Sequence, residues 1–291
     1  MIAPLPPSNR LDRIKLYFFQ ELNEYYQTET LQLLFRLLLK HFFGITPIQL
    51  ASEPTKRLSE SEILVVQKVI RKLKKQIPWQ YIVEETEFYG LILQVNSSVL
   101  IPRPETEELI ELIRENYQNK TAPKQIIDLC TGSGCIALSL KKIFPDANVF
   151  GLDICPDALK VARQNSLKLG LQVEYIRQDL LNQFQLEESM VFDLVVSNPP
   201  YIMEKEKLEM DANVLDHEPH SALFVPDRDP VVFYNAIGNF MKHHLAPTGQ
   251  AWLEINSKLG EETQQIIRET SGRKTLSHVD LSGKERFISA T

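Results

Sequence analysis

The sequence is poor in cysteine, has no basic excess and has no long apolar run, and each shortage removes a class of protein. Its only cysteines are Cys130, Cys135 and Cys155. They make no C-x-x-C pair and no Cys/His cluster, so neither a disulfide framework nor a metal site is expected, and their odd number fits a reducing cytoplasm. Acidic residues outnumber basic ones by 38 to 32, a formal charge of −6. Gripping nucleic acid by its phosphates needs the opposite sign, so no direct nucleic-acid contact is expected, although a local basic patch is compatible with that total. The longest apolar stretch, residues 31–43, is interrupted by Gln32, Arg36, Lys40 and His41. It is too short and too broken to span a bilayer, so no membrane partner is expected. Residues 1–10 hold prolines without an apolar core and do not read as a signal peptide. The expectation is a soluble, cytoplasmic monomer. His243-His244, late in a helical stretch, reads as a solvated helix end.

What remains is an ordinary globular composition over 291 residues, enough for one large domain and one small one. The first part reads as helices. Leu11, Ile14, Phe18 and Leu22 recur at helical spacing, as do Leu31, Leu34, Phe35, Leu38 and Phe42. A third helix is predicted over residues 59–76, with Ser59 and Glu62 spaced as a capping box. Its second half carries Lys68, Arg71, Lys72, Lys74 and Lys75. The plain reading is a solvated face that suits the helix dipole; the sharper one is a docking surface for an acidic or RNA-associated partner. Tyr81-Ile-Val and Leu91-Ile-Leu-Gln-Val, separated by Gly90, then read as a β-hairpin.

From residue 124 strands and helices alternate: strands over 126–130, 148–152, 173–176, 191–197 and 250–255, helices over 135–143 and 156–169. That rhythm predicts an α/β fold, a doubly wound, mostly parallel sheet, closed by an antiparallel hairpin around Ser282-Gly283-Lys284.

Two places in this sheet carry chemistry. The first strand–helix turn is Asp128-Leu-Cys130-Thr131-Gly132-Ser133-Gly134. Its glycines allow a tight turn and a close backbone approach to a ligand at a helix mouth. A third glycine at dinucleotide spacing is missing, and so is the Gly-Lys-Ser/Thr of a P-loop. The turn suits a ligand bearing an amino acid, with Asp128 aimed at a cationic ammonium or sulfonium group. Asp153, at the tip of the next strand, is placed for two ribose hydroxyls; a plainer use is to cap the helix near Pro156. Together they point to an adenosine-containing ligand.

The second place is Asn198-Pro199-Pro200-Tyr201, directly after the strand ending at Ser197. Two prolines hold the chain rigid and extended. An amide or aryl-amine nitrogen is a poor nucleophile because its lone pair is delocalised. If the Asn198 side-chain oxygen and the Pro199 carbonyl each accept an N–H, that nitrogen is oriented and pushed towards a tetrahedral shape. Tyr201 can stack on the planar group. The plain alternative is a structural turn, which N-P and P-P dipeptides often punctuate.

Taken together, residues 128–134, Asp153 and Asn198-Pro-Pro-Tyr-Ile202 resemble S-adenosylmethionine-dependent methyltransferases that modify nitrogen. Pro78-Trp-Gln-Tyr-Ile82, Glu87-Phe-Tyr-Gly90 and above all Leu100-Ile-Pro-Arg-Pro-Glu-Thr-Glu107 narrow the resemblance to the release-factor glutamine methyltransferases (the HemK/PrmC type). Glu218-Pro219 with Ala222-Leu223, and Asp280-Leu-Ser-Gly-Lys-Glu-Arg286, point the same way.

The resemblance implies a Rossmann-like seven-stranded sheet, a helical substrate-docking domain over residues 1–77, a hairpin linker over 78–104 and a methyltransferase domain over 105–291. It implies S-adenosyl-L-methionine as cofactor, and N5 of the glutamine in the Gly-Gly-Gln loop of peptide chain release factors as target. Asp128, Cys130, Thr131, Gly132, Ser133, Gly134 and Asp153 would bind the cofactor, with Asp179 and Leu180 near its adenine. Arg103, Glu105 and Thr106 would line the cofactor side. Asn198 would touch cofactor and glutamine, and Pro199, Pro200 and Tyr201 would shape the glutamine pocket. The chain departs from the family at Cys130, where glycine is usual, and at Leu180, where an aromatic is common. It departs again at Pro226-Asp-Arg-Asp-Pro230 and at Glu254-Ile-Asn256, each of which replaces a glycine-containing segment.

Two other functions fit parts of the sequence. The same tetrapeptide can hold a flipped adenine amine for N6 methylation of DNA or RNA, but the acidic charge and the lack of a basic target domain speak against it. A binding module that has lost its chemistry would show damage at residues 198–201, and none is visible.

Overall fold

The computed structural model describes residues 6–182, 186, 187 and 189–291. Contacts divide the chain into two units, Met1–Glu84 with Ala212–His217, and Glu85–Asp211 with Glu218–Thr291.

The first unit is helical: α1 (Leu11–Leu22), α2 (Thr28–Phe43), α3 (Pro47–Ser52), α4 (Glu60–Lys74) and α5 (Trp79–Val83). The apolar stripes read from the sequence become one core, in which Leu11, Ile14 and Phe18 of α1 meet Phe35 and Leu38 of α2 and Val66 and Ile70 of α4. Ser59 caps α4 as its spacing predicts: its hydroxyl accepts from the Glu62 N–H, and the Glu62 carboxylate accepts from the Ser59 N–H. Tyr81-Ile-Val departs from expectation. These residues form α5, a single turn entered from Pro78, because packing Ile82 into the helical core outweighs their β propensity. Residues 212–217 belong to this unit, and the His217 ring meets the Lys75 carbonyl at 2.6 Å.

The second unit begins with the hairpin β1 (Glu85–Phe88) and β2 (Leu91–Gln94). Its two-residue turn places Tyr89 and Gly90 at φ 47° and 67°, the left-handed pair that matches strand twist. The buried Asn165 side chain accepts from the Gln94 N–H and donates to the Gln94 and Ser133 carbonyls, tying the hairpin to the glycine loop. Pro104 opens α6 (Pro104–Asn116), where its missing N–H costs nothing.

Then come β3 (Gln125–Leu129), α7 (Cys135–Ile143), β4 (Asn148–Asp153), α8 (Pro156–Leu169), β5 (Glu174–Arg177), β6 (Phe192–Ser197) and the short β7 (Ile202–Met203). After α9 (Ala212–His217), β8 (Phe224–Val225) pairs with β7. The chain ends with α10 (Val232–His244), β9 (Leu245–Glu254), α11 (Gly260–Ser271), β10 (Thr275–Val279) and β11 (Glu285–Ala290). The seven-stranded sheet has the order β10-β11-β9-β6-β3-β4-β5. All its pairs are parallel except those of β11, so the sheet is mostly parallel and doubly wound as expected. Alternate strand residues bury on opposite faces, Ile126 and Leu194 in one core, Ile127 and Val195 in the other.

His244 corrects another expectation. Rather than a solvated helix end it is a buried side chain, stacked on Phe240 and with Nδ1 2.8 Å from the Met190 carbonyl. Its neighbour His243 is exposed.

Candidate active site

Strand order reverses between β3 and β6, where the chain leaves the middle of the sheet in both directions. At such a switch point the loops diverge and open a crevice at the carboxyl ends of the strands. The two ends are bound together: the Ser197 hydroxyl donates to the Leu129 carbonyl at 2.6 Å. The glycine loop leaves β3 here, and Asn198-Pro-Pro-Tyr201 leaves β6. Above them lies a cavity of about 280 Å³.

Cys130, Thr131, Gly132 and Ser133 line one side. The loop holds Cys130 at φ 62°, Gly132 at 54° and Gly134 at 81°, all left-handed. A cysteine in that region bears backbone strain that a glycine would avoid. Gly134 is behind the wall, and a Cβ there would meet the Tyr175 hydroxyl at 2.7 Å. Gly151 on β4 is bare for a related reason: an added Cβ would lie 2.8 Å from the Tyr175 ring and 2.9 Å from Thr131 Oγ1. The Tyr175 side chain thus fills the space beneath the loop.

Asp128 differs from its expected role. It does not face a ligand but is fully buried under the loop, where Oδ2 accepts from the Thr131 hydroxyl at 2.5 Å and from the Ala137 N–H at 3.2 Å. Its other oxygen has no partner, and burial pushes its carboxyl up to about 7. Asp153, at the tip of β4, does line the cavity. It accepts from the Gly132 N–H and from the N–H of Cys155, at the N-cap position of α8, both at 2.9 Å. It therefore braces the loop and fixes the residue that precedes α8, which carries no side-chain cap. Burial raises its carboxyl despite these N–H donors.

Beyond β5, Asp179 and the buried Leu180 line the far end of the cavity. Asp179 is held by the Leu181 N–H at 2.9 Å. All three cysteines reach the cavity, and burial pushes the Cys135 thiol up to about 12.

The Ile-Pro-Arg-Pro-Glu-Thr segment supplies Pro102, Arg103 and Thr106 to the wall, while Glu105 stands outside the lining. Arg103 donates to Glu218 Oε1 at 2.5 Å, and the Ile101 N–H donates to Glu218 Oε2 at 3.1 Å. One buried carboxylate thereby joins this wall to the segment bearing Ser221 and Ala222, which line the cavity opposite.

Asn198 and Pro200 line the cavity, whereas Pro199 and Tyr201 stand outside the lining. Here the structure adds a residue whose part the sequence did not disclose. Glu254, 1% exposed at the end of β9, accepts from the Thr106 hydroxyl at 2.7 Å and from the Tyr201 hydroxyl at 2.9 Å. Thr106 Oγ1 in turn accepts from Asn198 Nδ2 at 3.0 Å. Burial raises the Glu254 carboxyl, opposed by these hydrogen bonds and by Arg286. In sequence Glu254 showed only as a strand end differing from the family pattern. Among the described residues no group of three or more His, Cys, Asp or Glu side chains could hold a metal ion.

Several known proteins resemble this chain. Residues 17–83 match the PrmC N-terminal domain, and residues 106–219 match the methyltransferase small domain. A release factor glutamine methyltransferase of Flavobacterium psychrophilum is 38% identical over 93% of this chain and 95% of its own length. One of Bacteroides thetaiotaomicron is 39% identical over 96% of this chain and 99% of its own. Among solved structures, a 16S rRNA N2 G1207 methyltransferase of T. thermophilus, in complex with AdoMet and guanosine, superposes with a TM-score of 0.53. It covers 71% of this chain and 49% of its own at 18% identity, which shows a shared fold. On the two near-full-length relatives, the chain belongs to the release factor glutamine methyltransferase family.

Proposed function

We propose that this protein transfers a methyl group from S-adenosylmethionine to N5 of the glutamine in the Gly-Gly-Gln loop of a peptide chain release factor. The observation that carries the reading is Asn198 in the cavity lining, with its NH2 donating to Thr106 and its oxygen at the other end of the carboxamide.

The cavity's residues suit the cofactor. Asp153 retains acceptor capacity beyond its backbone donors and can take ribose hydroxyls. Leu180 and Ala158 offer apolar contact to a flat base. The loop from Cys130 to Ser133 and the wall at Arg103 and Thr106 leave room for an amino-acid end. When bound, S-adenosylmethionine supplies an electrophilic methyl group on a sulfonium.

The chain's own residues act on the glutamine. Its N5 carries two N–H groups and a lone pair delocalised into the carbonyl. Asn198 Oδ1 and the Pro199 carbonyl each accept one N–H, which fixes the nitrogen and turns its lone pair out of conjugation towards the methyl carbon. The same acceptors bear the positive charge that grows on nitrogen as the N–CH3 bond forms and the S–CH3 bond breaks. The methylated nitrogen, now strongly acidic, gives one N–H proton to solvent, and S-adenosylhomocysteine leaves. Positioning and electrostatics thus provide the rate without a strong base. Tyr201, held by Glu254, forms a flat wall for the side-chain amide. The first unit, with its basic α4, serves to hold the factor.

Intact-mass analysis of an unmethylated release factor incubated with this protein and S-adenosylmethionine tests the reading, followed by peptide mapping. A single methyl on the Gly-Gly-Gln glutamine is the expected result. An unmodified factor, with methyl appearing on adenine in a parallel nucleic-acid assay, would overturn it.

A further inference from the structure

An asparagine carboxamide can turn end for end with little change in shape. Only one orientation serves the reaction, because an NH2 turned to the glutamine would set donor against donor. Nothing in Asn198 itself selects the end, so a neighbour must.

That neighbour is reached through two steps. Ionised Glu254 can only accept, and its two oxygens take the Thr106 and Tyr201 hydroxyls. A threonine hydroxyl has a single proton, and here it is spent on Glu254. Thr106 Oγ1 can then only accept from its next neighbour, which must be the Asn198 NH2. The Asn198 oxygen is thereby the end left over. Strand pairing keeps the members together: Ser197 pairs with Leu253 between β6 and β9, and Phe287 of β11 pairs with Glu254. Thr106 arrives from the first turn of α6, 2% exposed.

We propose that Glu254 is a positioning residue that acts through Thr106 to set which end of the Asn198 carboxamide faces the substrate nitrogen. This rests on the proposed function above and names a device that serves it. Without the carboxylate, the Thr106 hydroxyl is free to donate to Asn198 Oδ1, and the carboxamide loses its bias.

The full-length protein with Thr106→Val, Thr106→Ser, Glu254→Gln and the Thr106→Val/Glu254→Gln pair tests the device. Valine keeps the shape of threonine and removes its polarity; serine keeps the polarity. Thr106→Val is expected to lose at least ~20-fold in kcat on a release factor, a larger effect than on KM, and Thr106→Ser to recover most of that loss. Glu254→Gln is expected to lose at least ~5-fold, and the pair no more than Thr106→Val alone, since both break one chain. A Thr106→Val enzyme with normal kcat, a Thr106→Ser enzyme as poor as Thr106→Val, or losses that add in the pair would each overturn the proposal.

A second readout needs no turnover. In protein labelled with ¹⁵N-asparagine, the Asn198 NH2 signal, identified by its loss in Asn198→Ala, should exchange slowly in wild type and Thr106→Ser and quickly in Thr106→Val. Fast exchange in wild type would overturn the proposal. If wild type does not methylate the factor yet shows the protected NH2, the functional reading falls and the orientation stands.

Discussion

Arg103 and Glu218 form an ion pair of unequal burial: the guanidinium side chain is 33% exposed and the carboxylate side chain 1% exposed. Removing the arginine leaves a buried charge with one backbone donor, the Ile101 N–H. Removing the charge of Glu218 leaves a cation that water can reach. Arg103→Leu is therefore expected to destabilise the fold by about 2–3 kcal/mol and Glu218→Gln by about 1 kcal/mol. Urea unfolding at neutral pH measures both, and equal losses would contradict the asymmetry. Both variants should weaken cofactor binding in calorimetry, because the pair joins two walls of the cavity.

Asn198→Ala should keep the fold and lose at least ~100-fold in kcat, because in the proposed reaction its oxygen both orients the nucleophile and bears its growing charge. Single-turnover kinetics with saturating cofactor and factor reads this directly. A variant retaining most of its rate would remove the proposed role.

Asp128 makes stability depend on pH. In the unfolded chain its carboxyl titrates near the ordinary value, about 4. In the folded protein burial raises it to about 7. Between these values the folded state binds more protons, so this group's contribution is complete below the lower value and is lost as pH rises through the upper one. Wild type is expected to lose about 2–4 kcal/mol more between pH 4 and pH 8 than Asp128→Asn does. Denaturant unfolding of the two across that range gives the difference; parallel curves would place the titration elsewhere.

Cys130 should tolerate glycine better than valine. Glycine relieves the left-handed strain at φ 62° but adds freedom to the unfolded chain, and the two effects nearly cancel, to within ~1 kcal/mol. A β-branched side chain fits that region worse, so Cys130→Val is expected to cost roughly 2 kcal/mol. Thermal unfolding ranks the pair.

Most of the fold was legible because its signals are local. Helical stripes, the Ser59–Glu62 capping box and the strand–helix alternation each lie within a few residues of sequence. The failures are non-local. Tyr81-Ile-Val looks like a strand until the helical core that takes Ile82 is present. His244 looks solvated until Phe240 and the Met190 carbonyl close over it.

The site divides the same way. The glycine loop, Asp153 and residues 198–201 announce themselves by type and spacing. That Asp128 points inward, or that Glu254 meets a threonine 148 positions away, depends on how α6 and β9 pack against the sheet. No window of sequence holds both partners.

Glu254 stands on a strand paired on both sides, whereas the cavity walls at Arg103 and Leu181 stand on loops and Ser221 stands on a single 3-10 turn. In the proposed reaction, orientation of the nucleophile and fit of the ligands are thus entrusted to parts of different stiffness. The loops can be recut for another protein substrate while the sheet keeps an acceptor turned to the incoming amide. An engineer seeking a new target would vary the rim and leave the end of β9 alone.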